Sequence, residues 1–255
     1  MRVINSLVVG LLVTLLAGCV TTTNQPAVKV DKEKALATHV ELGLGYLRQR
    51  NNESSRLHFS KALKIDPNSA GALNGMALLY QIEKDDELAE KFFRKAIAAD
   101  GDYPRARNNY GAFLYGRERY KEAYKQFSIV AKNMGYERRS MALVNLGRTS
   151  IKLGKNDEAE KAFIQAMSIN YRLPAAHLEM SDMKFKEGDY AASKRYLDQY
   201  GKLVRHGPRS LWLGIQIERI FGNKDKEASY ALALTNLYSY SNEYLEYKKT
   251  LNNNE

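Results

Sequence analysis

Apolar residues recur three and four apart along most of the chain, with charged and amide side chains between them, and this spacing predicts amphipathic helices. The clearest stretch is Leu42–Pro67, which reads Leu42-Gly43, Tyr46, Ser55, Phe59, Ala62 and Pro67. The same order returns 34 residues later as Met76-Ala77, Tyr80, Ala89, Phe93, Ala96 and Gly101. It returns after another 34 as Tyr110-Gly111, Leu114, Ala123, Phe127 and Val130, and after 36 as Leu146-Gly147, Ser150, Ala159, Phe163 and Ala166. Each period holds two helical stretches. A small residue on the first lets the second approach closely, an aromatic fills the space this contact leaves, and a small residue on the second admits the next unit. One unit alone cannot bury its apolar face, so the units must stack.

This is the tetratricopeptide pattern. It predicts an all-α chain, a right-handed superhelix of about six helix-turn-helix units near residues 36–69, 70–103, 104–139, 140–173, 174–207 and 208–241, within a repeat domain over 33–251. Helices are expected over about Glu33–Arg50 and Glu53–Ile65, Ser69–Glu83 and Asp85–Ala99, and Glu137–Leu153 and Asn156–Asn170. Asp66-Pro67 stops a helix, because proline disfavours helix in the residue before it. Pro104, Pro174 and Pro208 open helices, where a missing N–H is harmless. In the fifth unit Met180-Ser181 takes the large-small place, Gly188-Asp189-Tyr190 forms the turn and Leu197 stands at the aromatic place. The sixth, Leu211–Phe221 and Lys224–Tyr238, carries the only Trp, Trp212, and lacks the full pattern, as end units do. Glu243–Leu251 adds a last helical turn or two.

The N-terminus reads differently. Arg2 precedes an apolar run, Leu7–Ala17, that is too short for an ordinary membrane span and suits a signal peptide over residues 1–18. Leu16-Ala17-Gly18-Cys19 resembles the bacterial lipobox, in which the cysteine is lipidated and becomes the first residue of the mature chain. Cys19 is the only cysteine, so no intramolecular disulfide can form. Residue 20 is Val and not Asp. By resemblance to bacterial lipoproteins, this favours the outer membrane, with the protein facing the periplasm. Residues 19–32 then form the lipidated N-terminus and a tether, since Thr21–Pro26 has little to bury.

Charge changes this picture little. The net charge of +10 could favour an anionic surface, but Lys and Arg are mixed with Glu and Asp, as in Glu87–Arg94 and Arg117–Lys125. A dispersed solvated surface follows, and no nucleic-acid partner is expected. His39 and His177 fall at packing places, His58 on an exposed helix face and His206 in a turn; no two stand four apart as helical metal ligands would. No nucleophile elbow, phosphate loop or H-E-x-x-H occurs. The expectation is a non-enzymatic protein without cofactor, metal or small-molecule substrate. The 17 tyrosines, Tyr46, Tyr80 and Tyr110 among them, are packing residues first.

Binding is the better prospect. In tetratricopeptide folds the first helices of the units line the concave face. In the first unit the ligand-facing places hold Ala37, Val40, Leu44, Leu47 and Arg48, of which Val40, Leu44 and Leu47 form one stripe. A separate core stripe runs through Leu42 and Tyr46. Leu78 and Ile82 continue the ligand stripe in the second unit and Tyr115 in the third. Later units are mixed, with Val144, Arg148 and Ile151, then Leu178, Asp182 and Phe185. The pattern predicts an apolar groove at the N-terminal end, suited to an amphipathic helix or an extended apolar peptide; the alternative is that the tether or a neighbouring unit covers the stripe. It is not a carboxylate clamp, because Val40, Leu44, Asn74 and Leu78 stand where such a clamp places Lys and Asn.

A lipobox, a short tether and about six units together resemble the PilF/PilW family, outer-membrane lipoproteins of type IV pilus biogenesis. The most telling stretches are Ser210–Ile215 and Glu227–Leu232 of the last unit; Asn108–Gly111 with Phe113-Leu114 is also similar. The resemblance implies a monomeric pilotin that binds secretin subunits, promotes their outer-membrane localisation and multimerisation, and so serves pilus assembly and twitching motility. It supplies no catalytic residue, only the lipidated Cys19. A lipoprotein scaffold for peptidoglycan enzymes or outer-membrane protein insertion would share the same fold and anchor.

Overall fold

Phe59, Phe93, Phe127 and Phe163 are all fully buried, each on the second helix of a pair. In the computed structural model, which describes residues 31–252, the pairs are α1 (Lys32–Arg48) with α2 (Asn52–Ile65), α3 (Ala70–Ile82) with α4 (Asp86–Ala99), and α5 (Pro104–Gly116) with α6 (Tyr120–Lys132). They continue as α7 (Arg139–Lys152) with α8 (Asn156–Ile169), α9 (Pro174–Lys186) with α10 (Tyr190–Leu203), and α11 (Pro208–Ile220) with α12 (Lys224–Tyr238). A further helix, α13 (Asn242–Asn252), follows. There is no strand among the described residues, and the fold is an all-α tetratricopeptide superhelix. Residues 31–35 begin α1, and residues 36–252 form the compact unit that holds the stack. The expected signal peptide, the lipobox and most of the tether lie outside the described residues.

The glycines explain how closely the helices pack. A Cβ at Gly43 on α1 or at Gly75 on α3 would fall inside the Phe59 ring, so one phenyl group sits against its own pair and the next. Gly147 meets Phe163 in the same way, and a Cβ at Gly111 would lie 2.8 Å from the Phe127 ring. The sixth pair keeps this device with a one-residue shift: Gly214 faces the Tyr230 ring, 16 residues on, as Gly43 and Phe59 are. The contact is kept there, but Lys226 stands where the other pairs carry a small residue, so the full pattern is absent as expected. The fifth pair solves the approach differently. Ser181 and Ser193 each donate to the other's carbonyl, at 2.8 and 2.7 Å.

Leu42 departs from its expected core place and is 41% exposed. The equivalent residues Met76, Tyr110 and Met180 are buried, and Tyr110 lies 5.7 Å from Phe93 of the pair before it. This place is covered by a preceding pair, and Leu42 belongs to the first. At the other end, α13 is longer than the expected turn or two. It packs Tyr244 and Tyr247 onto the last pair, with the Tyr247 ring 6.2 Å from Trp212.

Every pair turns through one left-handed residue: Arg50, Lys84, Glu118, Gly154, Gly188 and Gly222, with φ from 58° to 81°. The next residue's N–H closes the first helix, as Asn51 N donates to the Tyr46 carbonyl at 3.0 Å and Asp85 N to Tyr80 at 2.9 Å. In four of the six pairs that same residue also caps the second helix through its side chain, whereas Arg119 and Lys155 do not. Asn51, Asp85 and Asp189 accept from the N–H groups of Ser54, Leu88 and Ala192.

The second and third pairs are also joined by charge. Glu90 on α4 accepts from Tyr110 Oη at 2.7 Å, from Arg119 Nη1 at 2.6 Å and from Arg94 Nη2 at 2.6 Å. The Arg119 guanidinium, helped by Arg94 and Tyr110 against an opposing burial effect, holds the Glu90 carboxyl down at about 2. Burial and the same carboxylate push Tyr110 up to about 12.

Two outcomes are expected. A non-glycine residue in the left-handed region costs about 1–2 kcal/mol, partly offset by the extra entropy a glycine loses, about 0.5–1 kcal/mol. Glu118→Gly should therefore raise the urea midpoint, while Gly188→Ala lowers it. The Glu90 contribution is complete above the ordinary carboxylate range and is lost as pH falls towards 2, because the folded pKa is depressed. Glu90→Gln should lower the urea midpoint at pH 7, and its gap to the wild type should close as pH approaches 2.

Candidate functional site

Along the first helices of the pairs, residues three and four apart share a face, and one such face is not consumed by packing between pairs. Its N-terminal half is apolar. Val40 is half-buried, with a methyl 3.3 Å from where a Cβ on Gly71 would stand. Leu44 and Leu78 are half-buried against the cluster of Phe59, Met76 and Leu79, and Leu78 also reaches the cluster around Phe93 and Phe113. Ile82, at the end of α3, is 48% exposed.

Leu47 does not line this face. It is 9% exposed and belongs to the Phe59, Met76 and Leu79 cluster, because the second pair closes over the last turn of α1. The stripe expected from Val40, Leu44 and Leu47 therefore shortens to its first two members, with Leu78 and Ile82 beside them.

Further along, the face becomes polar. Asn109 on α5 donates to Asn74 on α3 at 3.0 Å, and Asn145 on α7 donates to Asn108 at 3.4 Å. These amide pairs link successive first helices. Tyr115 is half-buried and edge-on to Tyr120, with ring centroids 5.3 Å apart, and it stands at the boundary between the apolar half and the next region.

That region is a cavity of about 450 Å³ between α5, α7, α9 and α11. Tyr115 and Ile151 form its apolar wall, and Arg148, Lys152, Lys186 and Arg209 bring positive charge. Glu179 is only 4% exposed and accepts from Arg148 Nε at 2.9 Å and from both Nη groups of Arg209 at 2.8 Å. Arg209 Nη2 also donates to Asp182 at 2.8 Å, and Lys186 Nζ to Asp182 at 3.0 Å. Burial pushes the Glu179 carboxyl up, and the Arg209 and Arg148 guanidiniums outweigh it, so its pKa lies below the usual range. Asp182 behaves alike under Arg209 and Lys186. Two ionised carboxylates thus hold the guanidinium groups in place. Arg148, Ile151 and Asp182 were legible as groove positions from the repeat phase. Glu179 was not, since it stands between the ligand-facing places Leu178 and Asp182.

The histidines are arranged for packing. His39 and His58 meet across α1 and α2 with Nδ1 atoms 3.1 Å apart, and Tyr46 stacks on His58, which is half-buried and not on an open face as expected. His177 is buried against the Tyr171 carbonyl at 2.7 Å. No group of three or more His, Cys, Asp or Glu is placed to hold a metal among the described residues, and no helix among them is long and apolar enough to cross a membrane. Cys19 lies outside the described residues.

Residues 70–103 and 142–172 match the tetratricopeptide repeat family. The chain is 38% identical over 247 residues to the type IV pilus assembly protein PilF of Pseudomonas aeruginosa, covering 96% of this chain and 98% of that protein. Its fold is similar to the solved structure of P. aeruginosa PilF, with a TM-score of 0.81 and 37% identity over 86% of this chain and 99% of that one. It is also similar to the crystal structure of PilW, a type IV pilus biogenesis factor, with a TM-score of 0.72 and 27% identity over 82% of this chain and 96% of that one.

Core and groove roles separate by stability. Leu47→Ala should cost about 2–4 kcal/mol, as truncation of a buried leucine does. Ile82→Ala should stay within about 0.5 kcal/mol of the wild type. Chemical denaturation of the two variants checks both.

Proposed function

The chain belongs to the PilF/PilW family of type IV pilus tetratricopeptide proteins, and from that premise we propose that it acts as a pilotin in type IV pilus biogenesis. It binds subunits of the pilus secretin at the periplasmic face of the outer membrane and promotes their localisation and multimerisation there. The observation that carries this reading is the match to PilF over 98% of that protein's length. Supporting it are the partly exposed apolar face of Val40, Leu44, Leu78 and Ile82 and the resemblance of Leu16–Cys19 to a lipobox.

The mechanism is physical. The apolar half of the groove, with Val40, Leu44, Leu78 and Ile82, covers an apolar segment of a secretin monomer before it finds its neighbours. Tyr115 extends that surface towards the cavity. Acyl chains on Cys19 anchor the complex, each buried CH₂ contributing about 0.8 kcal/mol, so several chains give stable attachment where one is marginal. The protein contributes binding and place, not a chemical step.

The test is the amount of heat- and SDS-resistant secretin multimer in outer-membrane fractions. A deletion strain should lose it. Cys19→Ala should retain assembly but displace the multimer from the outer membrane. Ile82→Arg, an exposed position that leaves the fold intact, should reduce it. Unchanged multimers in the deletion strain would remove the pilotin reading and leave a scaffold for peptidoglycan enzymes or outer-membrane protein insertion.

A further inference from the structure

Resting on the reading that a secretin segment lies along the groove, we propose that the cavity between α5, α7, α9 and α11 receives an acidic residue of that segment. The segment is extended, with apolar residues over the first two pairs and its carboxylate in the fourth to sixth. Nothing in the pilotin reading itself requires a charged contact; the unused cationic donors of the cavity point to one.

Four cations line it against two carboxylates, and both carboxylates are already engaged. Arg148 uses Nε on Glu179, and its two terminal nitrogens make no protein hydrogen bond among the described residues. Lys152 is exposed and pairs with no carboxylate among the described residues; its Nζ lies 5.9 Å from the Tyr120 ring centroid. These two side chains come from one helix, four residues apart, and so point to the same side. A carboxylate entering the cavity finds an unused planar pair of donors on Arg148, whose geometry matches it, and a point charge on Lys152.

The guanidinium is held ready before any ligand arrives. Glu179 is buried and carries Arg148 on one side and Arg209 on the other, so little side-chain ordering remains to be done on binding. Tyr115 and Ile151 form the adjoining wall, which calls for an apolar side chain next to the acidic one. The polar cavity continues the apolar face through Tyr115, and the cations come from three successive first helices. That layout fits a chain running through the groove, not a chain terminus held in a single pocket. The occupant is therefore an internal acidic residue flanked by apolar ones.

The experiment uses full-length lipoprotein in detergent and fluorescein-labelled overlapping peptides that span the periplasmic part of the type IV pilus secretin from the same genome. Anisotropy gives the affinities. The peptides that bind should contain an apolar run followed by Asp or Glu, and changing that residue to Asn or Gln should weaken binding about tenfold, as loss of a charge-assisted hydrogen bond does. Lys152→Glu should weaken it by at least about as much, and higher salt should weaken the wild type but not the variant. Arg148→Gln, which leaves the Arg209–Glu179 pair intact, is the second variant. Peptide binding that is unchanged in both variants and indifferent to the acidic residue would overturn the cavity assignment and leave the pilotin reading standing. Equal binding by peptides carrying the acid only as a free C-terminus would overturn the internal-residue assignment. No binding of any secretin peptide or of the intact periplasmic domain would overturn the secretin reading and this assignment together.

Discussion

Phe59 lies with its ring against Gly43 of its own pair and Gly75 of the next, and this double contact sets the distance between successive pairs. At Gly43 and Gly75 any side chain would occupy the ring's volume, and the phenyl group fills the space at interior packing density; the second pair manages with Ala77 beside Phe93 and the fifth with Leu197 at the aromatic place. Phe127 with Gly111, Phe163 with Gly147 and Tyr230 with Gly214 repeat its within-pair half. Where the fifth pair has Ser181 in place of glycine, reciprocal serine-to-carbonyl hydrogen bonds keep the helices close and leave no buried hydroxyl unsatisfied at that pair. The turns follow from the same spacing. One left-handed residue, then one residue whose N–H closes the first helix and which in four pairs caps the next, reverses the chain.

With the spacing set, the concave face is what packing leaves over. Its two halves differ in kind because side chains at equivalent places differ while the backbone does not. The first half holds Val40, Leu44 and Leu78 partly buried against the core, so an apolar partner there adds to a surface already half desolvated. The second half holds charges in a partly enclosed space. An isolated buried Glu179 would be costly to ionise, and Arg148 and Arg209 reverse that cost by direct hydrogen bonds. One groove therefore offers both a sequence-tolerant apolar contact and a directional charged one, and polypeptide recognition draws on these respectively for affinity and for register.

The proposed pilotin role would need no more chemistry than this. An apolar segment would be held reversibly, since each contact is weak alone and the sum depends on length. Lipidation of Cys19, which the lipobox resemblance implies, would then convert binding into delivery to one bilayer. The ends of the stack matter as well. Leu42 is exposed where the first pair has no pair before it, whereas α13 covers the last pair through Tyr244 and Tyr247 beside Trp212.

The sequence by itself determined the repeat, the six helix pairs, the turns that join them and the side of the first helices that faces the groove. These are properties of local spacing: residues 34 apart meet equivalent neighbours, and residues three and four apart share a face. Tyr115, Arg148, Ile151 and Asp182 were legible as groove residues on that basis. Tertiary structure alone decided which groove positions stay open. Leu47 has the spacing of a ligand residue, yet the second pair closes over it; Leu42 has the spacing of a core residue, yet no earlier pair covers it. The Gly214–Tyr230 contact was hidden by a one-residue shift, and Glu179 by its place between the usual ligand positions. Periodicity states which residues share a face, but whether that face meets protein or solvent depends on the neighbouring pair, whose contacts lie some 30 residues away in sequence.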